Sequence, residues 1–412
     1  MGNPDELYYA EDAIKRAVVT QAAKSDNDDD DTNSSNNPND GVNNIITHRV
    51  TCNNNKTFDG IVAGGTRVAK EVQDFITNYM KENHTNDEDD GGLHQAASIS
   101  FIGYSLGGMY SRYAISILPL EFEGITLNPF SFVTAATPHL GMASHSYVIL
   151  PRLLEGILGY GFGHTGQDLF RLHRDKKKRN KNSTPKDVVY RMATEDAFLR
   201  PLSVFHQRIA YISAFDSDFM VPTATAGMLS SHSKSQHYHI PDYNHWKTED
   251  IGFDVLAFQT RSCDRIEGTQ SSGTRSDTKD ETLTMSLSLD SLGWTKVFVD
   301  CRKGMTQSSI RCICRKPRKG IFEDAVSTKR AALQDDGEAI SFESNELCNL
   351  LKSSEYWHLA PTGHFLLVAH SKTKRGAKKY AKGRPLVDNA TAELVNDVRE
   401  FSQQTMRNGL PE

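Results

Sequence analysis

The residues best placed to do chemistry are Gly103-Tyr104-Ser105-Leu106-Gly107-Gly108. A serine between glycines, directly after an apolar run and directly before a helix-patterned stretch, can sit in a sharp, strained turn with its hydroxyl presented as a nucleophile. The glycines are expected because a Cβ at those positions would clash where strand and helix meet. The N-terminus of the following helix favours negative charge. The N–H of Leu106 is expected to point at the oxygen that becomes charged during acyl transfer.

A serine hydroxyl needs a general base, and the base needs an orienting carboxylate. For a serine on such a turn the chain order is serine, acid, histidine. The apolar run Arg208 to Phe215 leads into Asp216-Ser217-Asp218-Phe219-Met220-Val221-Pro222, which puts a carboxylate just past a strand end. Spacing leaves Asp216 and Asp218 both open. Among fifteen histidines, His364 lies late, after the turn Pro361-Thr362-Gly363 and before the apolar run Phe365 to Val368. That setting suits a loop docked on a sheet edge. His358 and His370 are the alternatives, while His245, beside Trp246, reads as a packing or surface histidine.

These residues need a sheet to hold them. Ala97 to Tyr104, Phe130 to Ala136, Arg208 to Phe215 and Trp294 to Asp300 are short apolar runs of the kind that form buried parallel strands. Ile45 to Thr51 is predicted to be a further strand. Residues 66 to 82 carry Val68, Val72, Phe75, Ile76, Tyr79 and Met80 at helical spacing. Residues 4 to 19 and 106 to 118 are also helix-patterned. Strands alternating with helices predict an α/β fold with a mostly parallel sheet covered on both faces. Residues 26–44, 83–94, 174–186 and 262–290 are expected to be solvated, disordered insertions, because their polar composition cannot bury enough apolar surface to order them. No internal repeat is visible.

Composition narrows the function. The chain has 412 residues, enough for one large α/β domain, and it reads as a single domain over 1–412. Lys and Arg number 47 against 52 Asp and Glu, a net charge of −5, which argues against a nucleic-acid binder. No apolar run reaches the length of a membrane-spanning helix. The start, Met1-Gly2-Asn3-Pro4-Asp5, fits neither a secretory signal nor a myristoylation pattern. The six cysteines therefore read as reduced thiols, and the expected location is the cytoplasm. Cys312 and Cys314 are too close for a usual zinc site, so no metal is implied.

Several stretches in one order resemble a known family. Thr57-Phe58-Asp59-Gly60-Ile61, Gly64-Gly65-Thr66-Arg67-Val68, Ile99 to Tyr113, Thr137-Pro138-His139-Leu140-Gly141 and Thr165-Gly166-Gln167-Asp168-Leu169 are similar to the motifs of the eukaryotic serine esterases, relatives of the fungal monoacylglycerol lipases. The resemblance implies the α/β-hydrolase fold and places Ser105 at the nucleophile. It places Asp218, in Asp218-Phe219-Met220-Val221-Pro222, at the acid position rather than Asp216. The family's late histidine falls on His364. Gly383 to Leu394 resembles its closing segment, with Asn389 where a histidine is usual. The family opens with a strand and a His-Gly-Leu loop that supplies a second oxyanion donor. Here Met1 to Leu7 resembles only the tail of that loop, so the fold is expected to lack its first family strand and activity is expected to suffer.

The resemblance implies a serine esterase or lipase that hydrolyses lipid or other apolar acyl esters through Ser105, His364 and Asp218, with Leu106 as one oxyanion donor and no cofactor. The largely apolar run Tyr147 to Phe162 is a candidate lid or membrane-touching segment, so peripheral contact with membranes or lipid droplets is expected. A weakly active or inactive lipid-binding protein on the same scaffold, or an acyltransferase using the same triad, are the alternative readings.

Overall fold

The computed structural model describes residues 4–25, 45–83, 95–143, 161–172, 187–215, 217–218, 220–235, 238, 249–250, 254–260, 278–301, 362–370 and 374–408. A short 3-10 turn, Pro4–Leu7, leads into α1 (Tyr8–Ser25). Then come α2 (Ile61–Asn83), β1 (Gln95–Tyr104), α3 (Leu106–Ile115), β2 (Glu121–Phe122) and β3 (Ile125–Ala135). Three short helices, α4 (Gly163–Leu169), α5 (Val188–Thr194) and α6 (Asp196–Ser203), precede β4 (Gln207–Ser213) and the single-turn α7 (Thr223–Ala226). The remaining elements are β5 (Glu249–Asp250), β6 (Asp254–Thr260), α8 (Thr278–Asp290), β7 (Trp294–Asp300), α9 (Thr362–Leu366), α10 (Lys374–Lys379) and α11 (Arg384–Asn408).

The sheet runs in the order β1-β3-β4-β7-β6-β5, with β2 added to β3. β1, β3, β4 and β7 are parallel, so their C-terminal ends share one edge. In register, Tyr104 faces Ala135, Ala135 faces Tyr211, and Ser213 faces Val299. The ladder continues one bond further, with Ser105 N–H donating to Ala135 O at 2.8 Å and Ala136 N–H to Tyr211 O at 3.0 Å. The chain then leaves the sheet abruptly: Ser105, Ala136 and Phe215 have φ of 53°, 47° and 55°. A left-handed backbone at a non-glycine residue is strained by about 1–3 kcal/mol, and such residues gather at functional sites.

β3 and β7 are largely buried on both faces, as parallel strands require, whereas Ala96, Ser98 and Ser100 leave one face of the first half of β1 exposed. Along β7, Trp294 and Phe298 join the larger core with Phe132 and Met109, while Val297 and Val299 face a second cluster with Tyr104, Cys301 and Leu366. α2 and α3 pack together closely through a glycine pair. A Cβ on Gly64 would lie 2.2 Å from the Tyr110 ring, and one on Gly65 would lie 2.6 Å from Tyr113. Cys52 and Cys301 are free thiols, and burial pushes each up to about 12. None of the described helices is long and apolar enough to cross a membrane.

Two expectations need correction. Residues 45–51 do not form a strand. Their backbone turns to a side chain instead: Thr51 N–H and Cys52 N–H donate to the Glu71 carboxylate on α2 at 2.9 and 2.8 Å. The segment 262–290 is not wholly an insertion, because residues 278–290 form α8. The Ser/Thr-rich composition hides a buried stripe. Met285 and Leu289 are fully buried, Ser286 donates to Met228 O, and Trp294 Nε1 donates to Leu289 O. Residues 262–277, 26–44, 84–94 and 174–186 lie outside the described residues, and Asn83 ends α2.

Candidate active site

Ser105 sits between the end of β1 and the start of α3, with φ 53° and ψ −125°. The sequence folds into this turn because strand and helix can approach closely only through glycines. A Cβ on Gly103 would lie 2.4 Å from Gly108 Cα, and one on Gly108 would lie 2.1 Å from Thr137 Oγ1. Gly107, by contrast, has no atom of another described element within 4 Å of the place its Cβ would take. The steric need expected for both flanking glycines therefore falls on Gly103 and Gly108, one position beyond the five-residue motif. Leu106 opens α3, where the first backbone N–H groups have no intrahelical acceptor.

Asp218 follows β4. Its Oδ1 accepts from the N–H groups of Met220 and Val221 at 2.8 and 3.1 Å. Its Oδ2 lies 2.8 Å from His364 Nδ1, and both side chains are buried. A carboxylate can only accept, so His364 donates from Nδ1, and Nε2 of the neutral ring keeps its lone pair for a proton. The turn carrying Asp218 is itself braced: Ser217 Oγ donates to Ala214 O at 2.7 Å and Thr223 Oγ1 to Ser213 O at 2.6 Å.

His364 lies on α9 and is anchored twice more. Gly363 N–H donates to Ser217 O at 3.2 Å. Tyr104, the residue before Ser105, donates its hydroxyl to His364 O at 3.0 Å and packs its ring against the imidazole, centroids 4.8 Å apart. Burial holds the Tyr104 phenol well above its ordinary value, and Asp218, Glu6 and Tyr380 push in the same direction. His370 faces elsewhere. Its ring contacts Phe365 and Tyr380, and its Nε2 is 4.0 Å from Glu6 Oε1. Asp216, His358, His245 and residues 147–160 lie outside the described residues.

The loop after β3 backs the turn at Ser105. Arg112 on α3 is buried and donates from Nη1 to His139 O at 3.2 Å and from Nη2 to Met192 O at 2.6 Å. Its Nη1 also lies 3.3 Å from His139 Nδ1. A guanidinium has no acceptor, so Nδ1 accepts and the ring proton sits on Nε2, 3.1 Å from Thr134 Oγ1. Burial pulls His139 well below its ordinary value, and Arg112 and Lys296 add to this. Burial also pulls Arg112 down to about 9. His139 is thus a neutral bracket, with both nitrogens engaged.

The other shared motifs clasp the start of α2. Thr165 Oγ1 accepts from Gly60 N–H at 2.9 Å, and Asp168 Oδ2 accepts from Ile61 N–H at 2.8 Å. Arg67 gathers the preceding loop through Asn53, Asp59 and the Lys56 carbonyl. Sequence reasoning missed Tyr104, Gly363 and Arg112. For Gly363 the signal was present, a glycine just before a candidate histidine. Nothing local marks Tyr104 or Arg112, since their partners lie far along the chain.

Residues 25–233 match the family described as "Putative serine esterase (DUF676)". The match includes Ser105 and Asp218 and ends before His364. The chain is similar to "Putative lipase ROG1" of Saccharomyces cerevisiae, 32% identical over 180 residues, which are 42% of this chain and 22% of that protein. It is also similar to "Putative lipase C4A8.10" of Schizosaccharomyces pombe, 30% identical over 32% of this chain and 16% of the relative. A third relative, "Putative lipase YDL109C" of Saccharomyces cerevisiae, is 29% identical over 32% of this chain and 19% of its own length. The matched stretches thus span less than a quarter of these relatives. No solved structure matches the chain.

Proposed function

The chain belongs to this serine esterase family, of the α/β-hydrolase type, and on that premise we propose that it is a carboxylester hydrolase acting on lipid or other apolar acyl esters. Ser105 is the nucleophile, His364 the general base and acid, and Asp218 the carboxylate that orients His364. The observation that carries the reading is the 2.8 Å bond between Asp218 and His364, both buried, packed against the residue that precedes Ser105.

In this mechanism Ser105 Oγ bonds to the ester carbonyl carbon while its proton passes to His364 Nε2. Leu106 N–H stabilises the oxyanion, and one such donor is worth about 10²–10³ in rate. The bond from carbon to the alcohol oxygen then breaks, and His364 returns the proton to the departing alkoxide. Water attacks the acyl-enzyme in the same way, giving its proton to His364. The acid leaves and Ser105 regains its proton. The choice of lipid substrates is supported by the names of the three relatives. The apolar run Tyr147 to Phe162 is the part of the chain we assign to contact with the acyl chain or a lipid surface.

Labelling with a fluorophosphonate tests the reading. Native protein is expected to take one label, and Ser105→Ala none. Label that persists on Ser105→Ala, with hydrolysis of a short-chain ester unchanged, overturns it.

A further inference from the structure

We propose that Tyr104 is a positioning residue that aligns the proton-transferring face of His364 with the hydroxyl of Ser105. The inference rests on the esterase reading above and deepens it. Ser105 and His364 arrive from distant parts of the chain, and Tyr104 stands 260 positions from His364. Asp218 fixes the Nδ1 end of the imidazole. One hydrogen bond leaves the ring free to pivot about that end, which moves Nε2 most. Tyr104 acts on His364 at two points. Its hydroxyl holds the backbone carbonyl at 3.0 Å, and its ring limits the pivot, lying against the imidazole at 4.8 Å and tilted by 41°, with the Phe365 ring 5.7 Å away as a second neighbour.

Tyr104 is peptide-bonded to Ser105 and terminates β1, where Gly103 and Gly108 leave the backbone no slack. The anchor on His364 is therefore the nucleophile's own neighbour, so any displacement of the turn carries the histidine loop with it. The phenol can serve as a lasting donor because its buried setting keeps it protonated across the working pH range. Neither Asp218 nor Gly363 makes this link, since both tie His364 to the β4 turn rather than to the nucleophile.

The test compares two esters of the same short acyl group, a 4-nitrophenyl ester and an ethyl ester. The nitrophenolate leaves without a proton, whereas the ethoxide needs one from His364. Tyr104→Phe keeps the ring and removes the hydroxyl. It is expected to lower kcat/KM, which reports acylation alone, on the ethyl ester about tenfold, on the order of one lost hydrogen bond. On the nitrophenyl ester the loss in kcat/KM is expected to be about threefold. Tyr104→Met removes ring and hydroxyl together and should widen the gap between the esters.

Unchanged kcat/KM on both esters in Tyr104→Phe overturns the proposal. So does an equal loss on both esters in both variants, which would mark a merely structural residue. Melting curves identify the folded fraction, to which all rates are normalised. Ser105→Ala separates the two ideas. If it still hydrolyses both esters, the esterase reading fails, and if it is inactive while Tyr104→Phe behaves as native protein, only the role of Tyr104 fails.

Discussion

Gly363 has no room for a side chain against Ser217. A Cβ there would lie 2.4 Å from the Ser217 carbonyl oxygen, the same oxygen that accepts the Gly363 N–H at 3.2 Å. The histidine loop and the acid turn are therefore joined backbone to backbone one residue before each of the two side chains that meet. Gly363→Ala must push the loops apart and lengthen the His364–Asp218 bond. A misplacement of about 1 Å can lower the rate about 10²-fold, while overpacking destabilises by about 1–3 kcal/mol. We expect kcat/KM on a nitrophenyl ester to fall by about 10²-fold, with unfolding still cooperative. Near-native kcat/KM would show that the loops can separate without moving the ring.

The two adjacent glycines of the Ser105 turn should behave oppositely. Gly108→Ala places a Cβ 2.1 Å from Thr137 Oγ1, whereas Gly107→Ala meets no atom of another described element within 4 Å. Gly108→Ala is expected to destabilise by about 1–3 kcal/mol. Gly107→Ala, in the first turn of α3, should be neutral or stabilising by up to about 1 kcal/mol. Urea unfolding of the two variants side by side decides this, and equal losses would contradict the packing described.

α8 is tied to the sheet by a buried ion pair, Lys296 Nζ to Asp290 Oδ1 at 2.6 Å. Burial raises the Asp290 pKa, and Lys296 opposes that rise without cancelling it. Lys296→Met leaves a buried carboxylate without its cation, and a loss of about 3–5 kcal/mol is expected. The double variant Lys296→Met with Asp290→Leu should recover most of that loss, because both desolvation penalties vanish together. Denaturant midpoints of the two variants measure the difference.

The Glu71 carboxylate gives a pH dependence. Burial alone would raise its pKa, but the donors at Cys52 and Thr51 prevail and hold it below its ordinary value. The folded state therefore favours the charged form. Its contribution to stability is present above about 4.3, the ordinary glutamate value, and is lost as pH falls through the depressed folded value. Glu71→Gln should be less stable than native protein at neutral pH, and the gap should close only under acid conditions. A gap that is constant from neutral pH down to acid unfolding would show that the charge is not what holds residues 51–52.

Local structure was legible in the amino-acid order alone. The strand, turn and helix around Ser105 lie within about twenty residues, and their apolar spacing and glycines state which backbone must approach which. The same holds for β7, whose expected bounds Trp294 to Asp300 match the observed strand. Failures were local too: α8 buries Met285 and Leu289 inside a Ser/Thr-rich run, so average composition concealed a helix. The meeting of distant loops was not legible. Spacing left Asp216 and Asp218 open and offered several late histidines. The bond from Asp218 to His364 spans 146 positions, and the contact from Tyr104 to His364 spans 260. Periodicity records which face of an element is buried but carries no record of its partner. That partner is set by strand order and by close backbone contacts such as Gly363 on Ser217, which arise only when the whole sheet assembles.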